Sequence, residues 1–396
     1  KAAGIDDIGA LAATVLILLF SLTFVASVQN SQRLQKYANA IILGYLMRVF
    51  LLYFDLYANQ FFVLPQSGND STMFYRTATE LVFFGKTNRS GSFITLMYNV
   101  FRIIGTNRLY GQFLLMLLSI ATLVIAIETI DGFAIEEAVK QRAAWILCLL
   151  PNYALLSSLF LRESLVTLLV TISTCSMVMW MQGRSQFAPI VSIVISIIAC
   201  LFHSGCIGIT IGCIFCLLVY NVRGKSIRPS GRGMLLAITL AIMVSFISLN
   251  YSDELFSKFG DVNGVEDIAN TYSEAGSSYL RYVGNSSNLV NFIIYSPLRI
   301  VYFLFSPFPW QWRGIGDIIA FFFSGLYYLS VLKQVVSCIR DRSHPHRGMV
   351  FGLLFVAFFC TFIFAWGCSN TGTASRHRDK MVCLYGLLYA LAYPRT

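Results

Sequence analysis

The stretch GMVFGLLFVAFFCTFIFAWG, residues 348–367, runs for 20 positions without a charged side chain. As an α-helix it covers about 30 Å, the thickness of a bilayer's hydrocarbon core. Comparable stretches lie at 8–28, 37–58, 108–128, 143–160, 163–181, 187–202, 204–221, 233–250, 315–336 and 379–394. The composition agrees, with 57% hydrophobic and 12% charged residues and a mean hydropathy of +0.68, far from any soluble domain. The sequence therefore predicts an all-α polytopic membrane protein of about 11 transmembrane helices, forming one membrane domain over 1–396. The first span can itself direct insertion, and Lys1 in place of a Met leaves room for a preceding piece. No repeat of solenoid length is present.

The loops 29–36, 221–232 and 338–347 are short and basic, the second with Arg223, Lys225, Arg228 and Arg232, the third with Arg340, Arg342 and Arg347. The positive-inside rule puts all three in the cytoplasm. They share one side only if residues 290–306 do not cross, so that segment reads as a re-entrant or interfacial helix broken at Pro297. The alternative is that it crosses and a weaker span does not. Two long segments, 59–107 and 251–314, then face outside. An amphipathic helix is expected through 71–84, and segments this long suit lids or substrate-binding walls.

Most of the 10 cysteines lie inside apolar spans, where cysteine acts as a small hydrophobe. Cys213 and Cys216 stand one helical turn apart, but no zinc-type spacing surrounds them; packing is the simpler reading, and no metal or other cofactor is expected. The net charge of +10 suits anionic lipid headgroups. The basic residues form no continuous strip, so no nucleic-acid partner is expected.

Against this apolar background Arg162, His203, Arg281, Arg299, Arg376 and Arg378 fall at the outer mouths of helices. Fixed positive charge facing an apolar cavity suits a lipid that carries phosphate or pyrophosphate. Arg162 is either a snorkelling arginine paired with Glu163 or a phosphate ligand; neighbours on a helix do not face each other, which weakens the pairing. His203 is either a packed imidazole or a functional group, binding pyrophosphate as a cation or acting as a base when neutral. Asp70, after Gly68-Asn69, suits an N-cap and also a general base for a sugar hydroxyl. Arg48 and Asp55, two turns apart on one helix, could line a cavity together. Tyr279 and Arg281 in the second long loop, with Arg299, are candidates for binding an anionic sugar or diphosphate. Arg376, His377 and Arg378 fan out, so they cannot all meet one ligand. Trp310 and Trp312 read as interfacial anchors before sugar-stacking platforms.

The order Pro151-Asn152, Ser157-Ser158, Arg162-Glu163, Phe202-His203-Ser204 resembles the EpsG-like and Wzy-type polysaccharide polymerases of bacterial envelopes. The run Gly372-Thr373-Ala374-Ser375-Arg376-His377-Arg378 resembles a basic motif before their last span. Asp70 looks like the first-loop acid of the wider GT-C class of lipid-dependent glycosyltransferases. The resemblance implies a GT-C-like fold in the inner (plasma) membrane, with the active site facing outside. It implies polymerisation of polyprenyl-pyrophosphate-linked oligosaccharide repeat units, as in O-antigen, capsule or exopolysaccharide synthesis. Asp70, His203 and Arg162 would be catalytic, while Glu163, Arg281, Arg299, Arg376, Arg378, Arg48 and Tyr279 would bind substrate. Flippase and chain-length regulator proteins are the implied partners beyond the lipid bilayer. A GT-C enzyme adding one sugar from a polyprenyl-phosphate donor is the nearest alternative. A transporter would place charge at mid-membrane and show inverted repeats, and neither is seen.

Overall fold

The computed structural model describes residues 7–87, 91–229, 231–250, 289–368 and 370–394, and folds them into 16 helices. Six are long and apolar enough to cross a membrane: Gly9–Asn30, Gln35–Tyr57, Arg108–Asp131, Glu163–Met181, Ile315–Arg340 and Arg347–Trp366. In chain order come α1 (Asp7–Asn30), α2 (Ala38–Tyr57), α3 (Asn69–Phe84), α4 (Ser92–Ile104), α5 (Arg108–Asp131), α6 (Glu137–Leu149), α7 (Pro151–Ser157) and α8 (Glu163–Met181). After them come α9 (Ala188–Phe202), α10 (Ile207–Val219), α11 (Gly231–Asn250), α12 (Leu289–Phe305), α13 (Ile315–Arg340), α14 (Arg347–Trp366), α15 (Thr371–Asp379) and α16 (Val382–Ala392).

Two departures from the hydropathy reading fall at prolines. The span expected at 143–160 is two helices. Leu150 sits at φ −59°, ψ 112°, because the ring of Pro151 disfavours helical backbone in the residue before it. Pro151 then opens α7, where a missing N–H leaves no bond unmade. Conversely, α12 continues through Pro297, where a break was expected. Trp366 Nε1 donates to Ser296 Oγ at 2.9 Å, while Phe303 stacks on Phe364 with ring centroids 6.3 Å apart. Those two residues of α12 stand about 10 Å apart along the helix, yet both meet the last turn of α14. Helix α12 thus lies across the end of α14.

The core is built around α16, whose every residue is buried against α5, α6, α8, α13 and α14. An apolar helix of this kind, enclosed on all sides, has no polar stripe to offer water. Helices α10 and α14 approach closely through Gly208 and Gly212, spaced as G-x-x-x-G. A Cβ at Gly208 would fall 2.7 Å from Cys360 Cα, and one at Gly212 2.6 Å from Val356 Cα. Outward-facing leucines such as Leu18, Leu22 and Leu43 cover the sides of the bundle.

Two ends can be told apart by contact. At one, Lys36 pairs with Asp131 and with Glu137 at 3.2 Å, and Arg184 donates to the Gly132 carbonyl at 2.8 Å. There too His346 meets the Ala134 carbonyl at 3.1 Å, and the 220–227 hairpin packs on the start of α14. All three basic loops therefore gather at the same end. The opposite end collects the start of α3, the α7–α8 and α9–α10 turns, the end of α12 and the whole of α15. The segment 59–107, expected as a long outer loop, lies there mostly as the α3–α4 pair. The 251–288 part of the second expected loop lies outside the described residues.

Candidate active site

Helix α15 organises the end opposite the basic loops. Asn370 caps it, its side chain accepting the Thr373 N–H at 2.7 Å, which fixes where the helix starts and so the direction in which each later side chain points. Arg376 Nε and Nη2 donate to Glu163 Oε1 at 3.1 and 2.8 Å, and Nη1 donates to Asp70 Oδ2. Burial works against the Arg376 charge, but the carboxylates of Glu163 and Asp70 outweigh it and hold the guanidinium above its ordinary value. Glu163 is the first residue of α8, so its charge also meets the positive end of that helix. Lys380 Nζ approaches the same oxygen, at 3.7 Å. One buried carboxylate thus draws two cations from a stretch over 200 residues away in sequence.

Asp70 is the second residue of α3 and makes no N-cap; Gly68 precedes the helix. With its side chain 48% exposed, Asp70 is reachable from outside, whereas Glu163 at 4% is not. Arg162 is not bonded to Glu163. Its Nη1 donates to the Phe202 carbonyl at 3.0 Å and its guanidinium lies 5.9 Å from the Phe74 ring centre. Among the described residues it has no ion pair, so its charge remains available to a ligand.

His203 meets a second histidine, its Nε2 lying 3.0 Å from Nε2 of His377. The Gly205 N–H donates to His203 Nδ1 at 3.2 Å, so that nitrogen carries no proton. One of the two Nε2 atoms donates to the other. His377 Nδ1 faces Cys368 Sγ at 3.2 Å. Neither ring nitrogen of His203 offers an open lone pair, whereas Asp70 does. Of the two, Asp70 is the better placed to accept a proton from a ligand.

The remaining candidates stand apart from this group. Arg48 is fully buried, donating to Ser157 Oγ at 3.0 Å and to the carbonyls of Gly44 and Cys148 at 2.9 and 2.8 Å. Asp55, two turns further along α2, has other partners: it bonds to Ser67 and Gln112 and lies 3.7 Å from Arg108. Arg299 lies 4.2 Å from the centre of the Trp366 ring. Tyr279 and Arg281 lie outside the described residues.

Arg378 is fully buried and donates to the carbonyls of Phe303, Leu304 and Ser306. It therefore closes the C-terminal end of α12, where carbonyls have no helical partner. Arg378→Gln should cost on the order of 1–3 kcal/mol for each carbonyl left bare. A fall in the detergent melting midpoint larger than that of Arg162→Gln will show it, and an unchanged midpoint will contradict the capping role.

Four residues of this end were not among the expected catalytic or substrate-binding residues: His377, Asp379, Lys380 and Asn152. Asp379 Oδ2 accepts from Asn152 Nδ2 at 2.7 Å, and both Asp379 and Lys380 are buried. The available signal was an Asp-Lys pair at the start of a stretch taken as a span. Charges on that stretch belong to the protein interior.

The assembled group holds guanidinium charge beside a reachable carboxylate, from α3, α8 and α15, with a histidine pair alongside. Such a set can neutralise a leaving phosphate and take up a proton from a hydroxyl. Comparison with family models, with curated proteins and with solved structures finds no match.

Proposed function

We propose that this chain polymerises polyprenyl-pyrophosphate-linked oligosaccharide repeat units at the extracytoplasmic face of a membrane. The carrying observation is the meeting of Asp70, Glu163 and Arg376, up to 306 residues apart in sequence, with Arg162 beside Glu163. In this reading an acceptor hydroxyl attacks the anomeric carbon of the donor glycan. The carbon–oxygen bond to the lipid pyrophosphate breaks, and its electrons leave on the pyrophosphate oxygen. Arg162 and Arg376 stabilise that charge, and Asp70 takes the hydroxyl proton. Glu163 holds Arg376 in place through its Oε1. The polyprenyl tail lies among the apolar helices.

The reading includes 11 crossings, with α6 and α7 together forming one and α12 lying at the outer end. Lys86 and Arg342 are exposed at opposite ends, so single-cysteine reporters there test orientation. Lys86→Cys should react with a membrane-impermeant maleimide in intact cells, and Arg342→Cys only after permeabilisation. The reverse pattern would invert the topology and move the cluster to the cytoplasm.

A membrane assay with polyprenyl-pyrophosphate-linked oligosaccharide tests the activity itself. A ladder of longer lipid-linked glycans, lost on Arg162→Ala at constant protein level, supports the polymerase. The exposure of Asp70 at the mouth also suits a GT-C transferase, which would add one sugar from a polyprenyl-monophosphate donor. Absence of product with either donor would turn the reading toward transport.

A further inference from the structure

Along α13, Phe322, Leu326, Leu329, Lys333, Val336 and Arg340 are all exposed. Steps of three and four residues keep them on one face of the helix. Tyr327, Tyr328, Val331, Val335 and Cys338 fill the opposite face and are buried. The exposed stripe changes character on its way to the end where the basic loops gather. It is apolar as far as Leu329 and basic at Lys333 and Arg340, with the exposed Ser337 between them. There the surface opens into a groove of about 550 Å³, walled by Leu329, Leu332 and Val336 and edged by Lys333, Ser337, Arg340 and Asp341. Asp341 is drawn into the following turn, where its Oδ1 accepts the Ser343 N–H at 2.9 Å and the Ser343 hydroxyl at 2.6 Å. Among the described residues, neither Lys333 nor Arg340 makes an ion pair.

A single lysine near the end of a span needs only headgroups and water around its ammonium. Lys333 and Arg340 are two turns apart, about 10 Å along the axis, on one face and around one groove. A free phosphate would use these cations and leave the apolar wall idle; a purely apolar ligand would do the reverse. A phospholipid carries the same gradient as the stripe, with its phosphate at the membrane surface and its acyl chains below. With Asp341 counted, the groove has one positive charge in excess, which selects for an anionic headgroup. We infer that this groove binds an anionic phospholipid from the leaflet on the side of the basic loops. Lys333, Ser337 and Arg340 meet its phosphate, and an acyl chain runs along Leu329, Leu326 and Phe322. The inference goes beyond the proposed activity and needs only that α13 crosses the membrane.

Native mass spectrometry of the purified chain, titrated in detergent with phosphatidylglycerol or with phosphatidylethanolamine of the same acyl chains, tests this without any turnover. Phosphatidylglycerol should bind the wild type more tightly. Lys333→Gln and Arg340→Gln should each weaken that binding about fivefold, the factor for one basic residue at an anionic lipid surface, and together about 25-fold. Both side chains are exposed, so neither substitution disturbs the core. Arg342→Gln removes a cation from the same loop but outside the groove, and should leave binding unchanged. Inorganic phosphate should not displace the lipid, since it gains nothing from the apolar wall. Equal binding of phosphatidylethanolamine, or full binding to the double variant, overturns the site. A loss in Arg342→Gln as large as in Lys333→Gln would mean a diffuse positive end in place of a site. Displacement by inorganic phosphate would mean that the groove reads a free anion, and it too overturns the lipid.

Discussion

Asp70→Asn will slow the growth of a lipid-linked glycan ladder by about 10²–10⁴-fold, the range spanned by loss of a general base, without lowering the amount of folded protein. Both halves of that expectation come from where Asp70 sits. Its side chain is 48% exposed, so its pairing with Arg376 adds little to stability. It is also the reachable carboxylate of the cluster, while Glu163 is enclosed. Asparagine keeps the shape and can still accept from Arg376, but it cannot take a proton. The comparison that decides is His203→Ala. With His203 Nδ1 accepting from Gly205 and Nε2 directed at His377, its loss should cost less than that of Asp70. If His203→Ala is as damaging as Asp70→Asn at equal protein level, the assignment of the base must be reversed.

The second large effect is structural. Arg376→Ala should destabilise the protein by about 3–5 kcal/mol, because it strands a buried Glu163 whose other cation, Lys380, stays 3.7 Å away. Adding Glu163→Gln removes the stranded charge, so the double variant should melt above Arg376→Ala alone. Activity should be lost in both, since the guanidinium is missing from each. A rise in stability without a return of activity would separate the counterion role of Arg376 from the role proposed for it at the departing pyrophosphate. Equal melting of single and double variants would mean that Glu163 does not depend on Arg376.

The long apolar runs, the amphipathic start of α3 and the common side of the three basic loops were legible in the sequence because each is local or a matter of counting. The break at Leu150-Pro151 was also written there, but a hydropathy window averages over a single proline. The unbroken α12 shows the opposite case, in which tertiary contacts with α14 hold a helix through Pro297. At the site, residue types were readable and pairings were not. Glu163 stands beside Arg162 in sequence yet bonds to Arg376, because α8 points consecutive side chains about 100° apart. Lys380 and Asp379 were hidden because buried charge is recognisable only once the helices that enclose it are known.

That angular step gives α15 a further property. Arg376 turns to α8 and α3, His377 to the α9–α10 turn, Arg378 to the end of α12, and Asp379 to α7. Four consecutive letters therefore address five separate neighbours, as a splined shaft engages several gears. Swapping one letter silences one of those dialogues. Deleting a single residue anywhere between Asn370 and Arg376 would turn the whole shaft by about 100° and disengage them all. Relatives of this chain should vary in the identity of these residues far more readily than in their number.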